Sequence, residues 1–224
     1  MGHPDLLLAA LVAVSAPSDT LEQRLKPCAV CHGEQGEGLT KSEFYPRLAG
    51  KPAGYLFNQL VAFREGRRRN PVMNYLVAHL SDAYLREISD YYESLSPPYP
   101  PPARVPAQLA ARGEALATRG DPARNVPACT ACHGNPPYGM QPGIPGLAGL
   151  PSHYIASQMG AWRIGQRQAF EPDCMREIAS RLTPEDVAAI SAWLGSLPAK
   201  PEAKPVAAGR LELPMKCGSA PYGR

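Results

Sequence analysis

Four of the six cysteines belong to two short motifs that each end in a histidine. Both motifs follow the pattern C-x-x-C-H, at residues 28–32 (CAVCH) and 129–133 (CTACH). Two residues between the thiols place both sulfurs on one helical turn, where they can add to the two vinyl groups of a haem as thioethers. The following histidine then faces the iron from the same side. The pattern predicts two covalently attached haem c groups. The predicted attachment and iron-binding residues are Cys28, Cys31, His32, Cys129, Cys132 and His133.

A C-x-x-C pair also occurs in redox dithiols and in zinc sites. A thioredoxin-like dithiol lies in a βαβ unit, and the sequence shows no such pattern. One zinc ribbon could use four cysteines, but the two pairs lie in opposite halves of the chain and each precedes its own histidine. Haem attachment is therefore favoured over both alternatives.

A longer repeat follows the two motifs. Residues 46–50 (PRLAG) correspond to residues 145–149 (PGLAG). The further matched pairs are Tyr55 with Tyr154, Gln59 with Gln158, Phe63 with Trp162, Arg64 with Arg163, and Arg68 with Arg167. Two copies of this length indicate a duplicated domain. The proline-rich segment 97–102 cannot be helical and predicts a stiff connector. The predicted domains are 17–96 and 103–198, and a Pro/Ala-rich extension covers 199–224.

The elements that position the motifs are predicted to be helices. A helix should precede each motif, capped in the first copy by Ser18 or Asp19 and running through 109–118 in the second. A second helix starts at Pro52 and stops at Gly66, and its counterpart covers 152–165. A third starts at Ser81, and its counterpart at Thr183. No strand pattern is strong enough to indicate a sheet, so the predicted fold class is all-α, with two tandem domains.

A haem with one histidine needs a second axial ligand if it serves only as an electron carrier. Met73 precedes Leu80 at the same spacing as Met175 precedes Leu182, and domain one contains no other methionine. Met73 and Met175 are therefore the predicted sixth ligands. The remaining candidates are rejected on position: Met140 is too close to His133, Met159 is expected in the core, Met215 lies beyond the domain, and His79 and His153 have no repeat counterparts.

Methionine is a soft ligand that favours ferrous iron, so His/Met ligation predicts positive reduction potentials. The leading interpretation is a carrier without substrate chemistry. It would accept electrons from a quinol-oxidising complex or a dehydrogenase and pass them to an oxidase. The formal net charge of +3 indicates no nucleic-acid partner.

The first residues suggest export from the cytoplasm. Residues 6–14 (LLLAALVAV) form an apolar run too short to span a bilayer, and small residues follow it. Residues 1–16 are therefore predicted to be a signal peptide, although the basic residues that usually precede such a run are missing. The alternative is an ordinary apolar N-terminal helix. Haem attachment through C-x-x-C-H also takes place in the periplasm. A periplasmic location is predicted, with association to the membrane left open.

Each half resembles a class I cytochrome c domain, and the tandem arrangement resembles the di-haem cytochromes of the c-four type and the haem subunit of flavocytochrome c sulfide dehydrogenase. The resemblance rests on C-x-x-C-H-G, the segment 46–50, the Tyr-x-x-x-Gln pattern with its Arg-x-Gly-x-Arg ending, and Met73. It implies His32/Met73 and His133/Met175 as axial pairs. It also implies two helical domains that face each other, with the haem propionates near their interface.

Two features depart from that family pattern. The segment 199–224 is additional, and Cys174 lies beside the predicted ligand Met175. A disulfide between Cys174 and Cys217 is one hypothesis, which an oxidising compartment would permit. The alternatives are that the extension docks onto a partner or is disordered.

Two other functions stay open. The chain could be a thiosulfate-oxidising di-haem enzyme in which Cys174 binds the second iron, or the haem subunit of a dehydrogenase that oxidises thiosulfate or sulfide. The arginine run 67–69 could be a docking patch for an acidic partner or part of a solvated loop. Arg68 and its counterpart Arg167 are expected to neutralise a haem propionate in each domain, whereas Arg67 and Arg69 are expected in a solvated loop.

Overall fold

The computed structural model describes residues 20–221, so the predicted signal segment 1–16 lies outside the described residues. The first half of the chain forms helices α1 (Leu21–His32), α2 (Ala53–Arg64), α3 (Pro71–Val77) and α4 (Asp82–Ser94). The second half forms α5 (Ala107–Arg119), α6 (Cys129–His133), α7 (Ser152–Arg163), α8 (Cys174–Arg181) and α9 (Pro184–Ser196). The all-α prediction is confirmed. Two-residue strands, β1 (Gly139–Met140) and β2 (Ile144–Pro145), pair antiparallel beside α6.

Local chemistry explains where the helices begin. The hydroxyl of Ser81 accepts a hydrogen bond from the Tyr84 N–H (3.3 Å) at the start of α4. Thr183 and Asp186 form a reciprocal capping box at the start of α9. Thr20 caps α1, whereas the predicted caps Ser18 and Asp19 lie outside the described residues. In the second half, the motif occupies its own short helix, α6, because the chain leaves α5 at Gly120.

Two helices were not predicted, and both carry a candidate ligand. Met73 lies in α3, where the side chain of Asn70 accepts a hydrogen bond from the Met73 N–H (3.1 Å). Met175 lies in α8, which Asp173 caps in the same way. The Asn-Pro pair before α3 is a helix-start signal that the sequence analysis overlooked.

The helices enclose separate apolar cores in the two halves. In the second half, α5 crosses α9 at close range, and a Cβ on Gly113 would overlap the carbonyl oxygen of Ala189. In the first half, α2 packs against α3 and α4. Each core leaves room beside the C-x-x-C-H motif, so packing places the motif at the edge of a cavity.

The proline-rich connector is attached to the first half by Arg47. This buried guanidinium donates hydrogen bonds to the carbonyl oxygens of Pro97 (2.6 Å) and Pro98 (3.0 Å), and it stacks on the ring of Tyr99 (3.8 Å to the centroid). The connector therefore follows the surface of the first half. The boundaries 17–96 and 103–198 remain predictions.

The two halves meet around a short antiparallel bridge between Arg68 and Arg167. The Arg69 N–H donates to the Gln166 carbonyl (2.9 Å), and the Gln168 N–H donates to the Arg67 carbonyl (2.8 Å). Because Arg68 and Arg167 are matched in the repeat, equivalent segments of the two copies form the contact.

The environment of Arg67 differs from the expected solvated loop. Its guanidinium bonds the Glu65 carboxylate (2.6 Å) and stacks on the ring of Phe170 (3.9 Å to the centroid). The other half of the molecule supplies that ring, so the solvated-loop expectation is wrong for Arg67. Arg69 is exposed, as expected.

Candidate functional site: two haem pockets

In the first half, the motif occupies the last turn of α1. His32 is buried, and its Nδ1 lies 2.8 Å from the carbonyl oxygen of Pro46. A carbonyl oxygen can only accept, so Nδ1 carries the proton and Nε2 keeps its lone pair. Burial lowers the pKa of His32. The imidazole is therefore held neutral and oriented, as an iron ligand requires.

The second half repeats this geometry. His133 is buried at the end of α6, and its Nδ1 lies 2.7 Å from the carbonyl oxygen of Pro145. Burial likewise lowers the pKa of His133. Pro46 and Pro145 are matched residues of the repeat, so the repeat includes the carbonyl groups that orient both histidines. The two prolines are recognisable as matched positions in the sequence, but the role of their carbonyl groups depends on the folded path of the chain.

A cavity of about 140 Å³ lies beside the second motif, and one of about 660 Å³ lies beside the first. The larger one falls within the usual range for small-molecule and cofactor pockets, roughly 300–1,000 Å³. Each is lined by the two cysteines and the histidine of its motif and by the predicted methionine. These residues are Cys28, Cys31, His32 and Met73 in the first cavity and Cys129, Cys132, His133 and Met175 in the second.

The donor groups fit two haem c groups. Each cavity combines two thiols with a neutral imidazole and a thioether, on walls that are mostly apolar. The indole N–H of Trp162, in the wall of the second cavity, is buried without a partner among the described residues. That group is available as a donor to a bound haem.

The other methionine and histidine candidates differ in whether they line one of the two cavities. His79 and His153 are exposed, and neither is among the residues that line the two cavities. Met159 is buried in the core, as expected, although it also reaches the wall of the second cavity. Met215 differs from the expectation, because it lines the second cavity and packs on the same core cluster as Met175.

Met215 reaches this place because the C-terminal extension folds back over the second half. Cys217 forms a disulfide with Cys174, with the Cα atoms 5.0 Å apart. The hypothesised pairing is therefore present in the structure. In this disulfide-bonded form Cys174 has no free thiolate, so the interpretation in which it binds the second iron is not supported.

Positive charge lies at both cavities: Arg167 is buried and lines both, and the half-buried Arg68 lines the first. Arg68 donates to the side-chain oxygens of Gln59 (2.8 Å) and Gln158 (2.7 Å), and Arg167 donates to the same two oxygens (2.9 and 2.8 Å). Burial lowers the pKa of Arg167. These hydrogen bonds go to neutral groups, so they leave the positive charge uncompensated.

Lys51 extends this cationic group, and it lines both cavities together with Tyr55. Burial lowers the pKa of Lys51 to about 8. Burial raises the pKa of Tyr55, but the charges of Arg167, Arg68 and Lys51 outweigh burial and bring that pKa to about 8. The surroundings of these residues therefore favour negative charge, such as that of carboxylate groups on a bound molecule.

Comparisons with known proteins agree with this geometry. No protein-family model matches the chain. The thiosulfate dehydrogenase electron acceptor of Thiomonas intermedia is 38% identical over 174 residues, which is 78% of this chain and 80% of that protein. Cytochrome c4 of Pseudomonas aeruginosa is 34% identical over 172 residues, which is 76% of this chain and 83% of that protein.

A solved structure shows the same architecture. Reduced recombinant cytochrome c4 from Pseudomonas stutzeri superimposes with a TM-score of 0.69 at 29% identity, and the match covers 79% of this chain and 96% of that one. The predicted resemblance is confirmed, and the name of the Thiomonas relative, an electron acceptor of a dehydrogenase, indicates a redox protein partner for that relative. The chain belongs to the cytochrome c4 family of di-haem class I cytochromes, and it is an electron-transfer protein that carries two covalently attached haem c groups.

Proposed function

We propose that this protein accepts electrons from a thiosulfate dehydrogenase and passes them to a terminal oxidase or another acceptor. The observation that carries the choice of donor is the 38% identity to a relative that bears the name thiosulfate dehydrogenase electron acceptor. That similarity extends over most of both chains and includes both haem-binding halves. The enzyme performs the oxidation, and this chain serves as its acceptor.

The linings of the two cavities support an assignment of the axial ligands. We assign His32 with Met73 to the first haem and His133 with Met175 to the second. Each pair lines a single cavity together with the cysteines that attach the haem. When bound, each haem supplies an iron that alternates between the ferrous and ferric states. With haem bound, Met73 and Met175 would be the residues that bind each iron together with the histidine, as an electron carrier requires.

The charges of Arg68 and Arg167 complement the negative charge of haem propionates. Arg167 lines both cavities and Arg68 lines the first. Both arginines are bonded to Gln59 and Gln158 rather than to carboxylates. The repeat pairs one arginine with each domain, but in the structure both arginines donate hydrogen bonds to both glutamines. We therefore assign the two arginines to both haems, as a shared cationic group.

Each cavity is completed by the opposite half. Tyr154, Gln158 and Arg167 contribute to the wall of the first cavity, while Lys51, Tyr55 and Gln59 contribute to the second. Since the same residues separate and line both cavities, the two haems lie next to one interface. This arrangement supports electron transfer between the two haems within one molecule.

We place the protein in the periplasm, where haem is attached to C-x-x-C-H motifs and where the Cys174–Cys217 disulfide is stable. No helix within residues 20–221 is long and apolar enough to cross a membrane.

A reduction assay tests the proposed donor. The oxidised holoprotein is mixed with a catalytic amount of thiosulfate dehydrogenase and with thiosulfate, and ferrous haem is followed by absorbance. We expect both haems to be reduced, and omission of either the enzyme or thiosulfate should abolish the signal. Reduction no faster than in the enzyme-free control would contradict the proposal.

The positive reduction potentials expected of His/Met ligation also suit a second donor, a quinol-oxidising complex. The same assay with quinol and that complex distinguishes the two. Faster reduction by the quinol-oxidising complex than by the dehydrogenase would favour the second candidate.

A further inference from the structure

The C-terminal extension takes a defined path across the second half. Val206 pairs with the segment around β1: its N–H donates to the Gly139 carbonyl (3.0 Å), and its carbonyl accepts from the Gln141 N–H (2.8 Å). Further along, the Gly218 N–H donates to the Pro172 carbonyl (2.9 Å), and the Ser219 hydroxyl accepts from the Phe170 N–H (3.1 Å). We call residues 206–221 the strap.

The end of the strap also reaches the first half. The side-chain amide of Asn58 donates to the carbonyl oxygens of Ser219 and Pro221, both at 3.2 Å. Asn58 is 2% exposed and lies in α2 of the first half. The strap therefore contacts both halves of the molecule at their junction.

Side chains of the strap form part of the second haem pocket. The strap residues that line this cavity are Leu213, Met215, Cys217, Ser219 and Ala220. None of the residues that line the first cavity comes from the strap. The two pockets are thus built from matched repeat residues but differ in this added wall.

The disulfide joins the strap to the helix that carries the proposed ligand of the second iron. Cys174 is the first residue of α8, and Met175 follows it directly. The carboxylate of the buried residue Asp173 fixes the same turn by accepting hydrogen bonds from the N–H groups of Ala169 (2.8 Å) and Arg176 (3.1 Å). Restraint at Cys174 is therefore restraint on the backbone of Met175.

We propose that the strap, locked by the Cys174–Cys217 disulfide, shields the second haem from solvent and holds Met175 on its iron, while the first haem depends on no such segment. The proposal rests on the haem attachment and on the assignment of Met175 as a ligand, but not on the identity of the electron donor.

Shielding has a definite electrochemical consequence. The ferric state carries one more positive charge than the ferrous state, so entry of water stabilises the ferric state and lowers the reduction potential. Weaker binding of the methionine should also lower the reduction potential, because the thioether favours ferrous iron. Loss of the strap should therefore lower the potential of the second haem only.

The test uses the double variant C174S/C217S of the full holoprotein, in which no free thiol can replace the lost ligand. A spectroscopic redox titration should show one of the two reduction steps shifted downward and the other unchanged. Carbon monoxide should bind to one reduced iron per molecule in the variant and to none in the parent protein. The variant Lys216→Ala, which changes an exposed strap residue, is the matched control and should behave like the parent.

Met215→Ala provides a second variant that keeps the disulfide and opens only the wall. It should lower the potential of the same reduction step, but by less than the double variant does. Unchanged potentials and no carbon monoxide binding in both variants would overturn the proposal, as would equal shifts at both haems.

Met175→Leu tests the ligand assignment separately, because it should admit carbon monoxide even with the strap intact. Failure of thiosulfate-dependent reduction would leave these potentials unchanged, so the assignment of the donor and the role of the strap are tested independently.

Discussion

At the scale of single residues, the strongest electrostatic site outside the haem pockets is Asp186 in the first turn of α9. Its side chain is 1% exposed, and its two oxygens accept hydrogen bonds from Arg112 (2.8 Å), Arg124 (2.6 Å) and the Thr183 N–H (3.0 Å). Burial raises the pKa of Asp186, but the hydrogen bonds from Arg124 and Arg112 outweigh it and hold the pKa well below its usual range. The ionised form is therefore the one that stabilises the fold.

Asp186→Asn should reduce the free energy of unfolding of the holoprotein at pH 7 by about 2 kcal/mol, because two arginines lose their charged partner. A lowered folded-state pKa gives stability that is present above the unfolded pKa, about 3.9, and is lost as the pH falls toward the folded value. The difference from the parent should thus be constant above about pH 5 and shrink below about pH 4. Denaturant unfolding at several pH values measures it.

The neighbouring acid Glu185 provides the control, since it is fully exposed. Glu185→Gln should change stability little. The free energy of unfolding of Asp186→Asn and of the parent should converge at low pH. If their difference does not shrink below about pH 4, the stabilising role of the ionised Asp186 is contradicted.

At the scale of elements, the closest packing is the crossing of α5 and α9. Gly113→Ala should destabilise the protein by about 1–3 kcal/mol, because the added methyl meets the backbone of Ala189 and the side chain of Trp193. Gly160→Ala in α7 is the matched control, since a Cβ there meets nothing within 4 Å. It should be neutral or stabilising by up to about 1 kcal/mol. Thermal unfolding of the two variant holoproteins measures the difference. Equal changes in stability would contradict the close packing of α5 on α9 at Gly113.

The elements also show what the sequence can predict. The helices around the motifs follow from caps and apolar spacing, as at Ser81 and Thr183. Helices α3 and α8 were missed because they are only seven and eight residues long, although Asn70-Pro71 marks the start of α3. The equal spacing from Met73 to Leu80 and from Met175 to Leu182 was enough to identify both methionines as candidate ligands, and the two helices did not have to be predicted.

Other parts of the site depend on the path of the chain, which local patterns do not encode. Met215 lines the second cavity because a disulfide and several backbone hydrogen bonds turn the extension back. The sequence predicts a solvated loop at Arg67, yet its guanidinium stacks on the ring of Phe170 from the other half. Both outcomes follow from contacts between distant segments.

At the scale of the whole molecule, the two halves share one cationic interface. Arg167 lines both cavities, donates to Tyr55 (3.1 Å), Gln59 and Gln158, and lies 3.8 Å from the ring centroid of Trp162. A positive charge near both irons favours the ferrous state of both. The interface is therefore expected to set the two potentials together, whereas the strap acts on one.

Arg167→Gln should lower both reduction potentials, since removal of a buried positive charge disfavours the added electron. The expected effect is on the order of 1 kcal/mol per haem, or roughly 40 mV for a one-electron step. A redox titration measures it. Arg163→Gln, at a residue that lines neither cavity, is the control. A shift confined to one haem would contradict the shared interface.

The central claim is that each half holds its own haem between a histidine and a methionine. The most direct measurement is the methionine-to-iron charge-transfer absorption of the ferric holoprotein, quantified per chain and compared with Met73→Leu and Met175→Leu. The account predicts the intensity of two methionine-ligated haems in the parent protein and of one in each variant. A parent spectrum without this absorption, or an intensity that either substitution leaves unchanged, would contradict it.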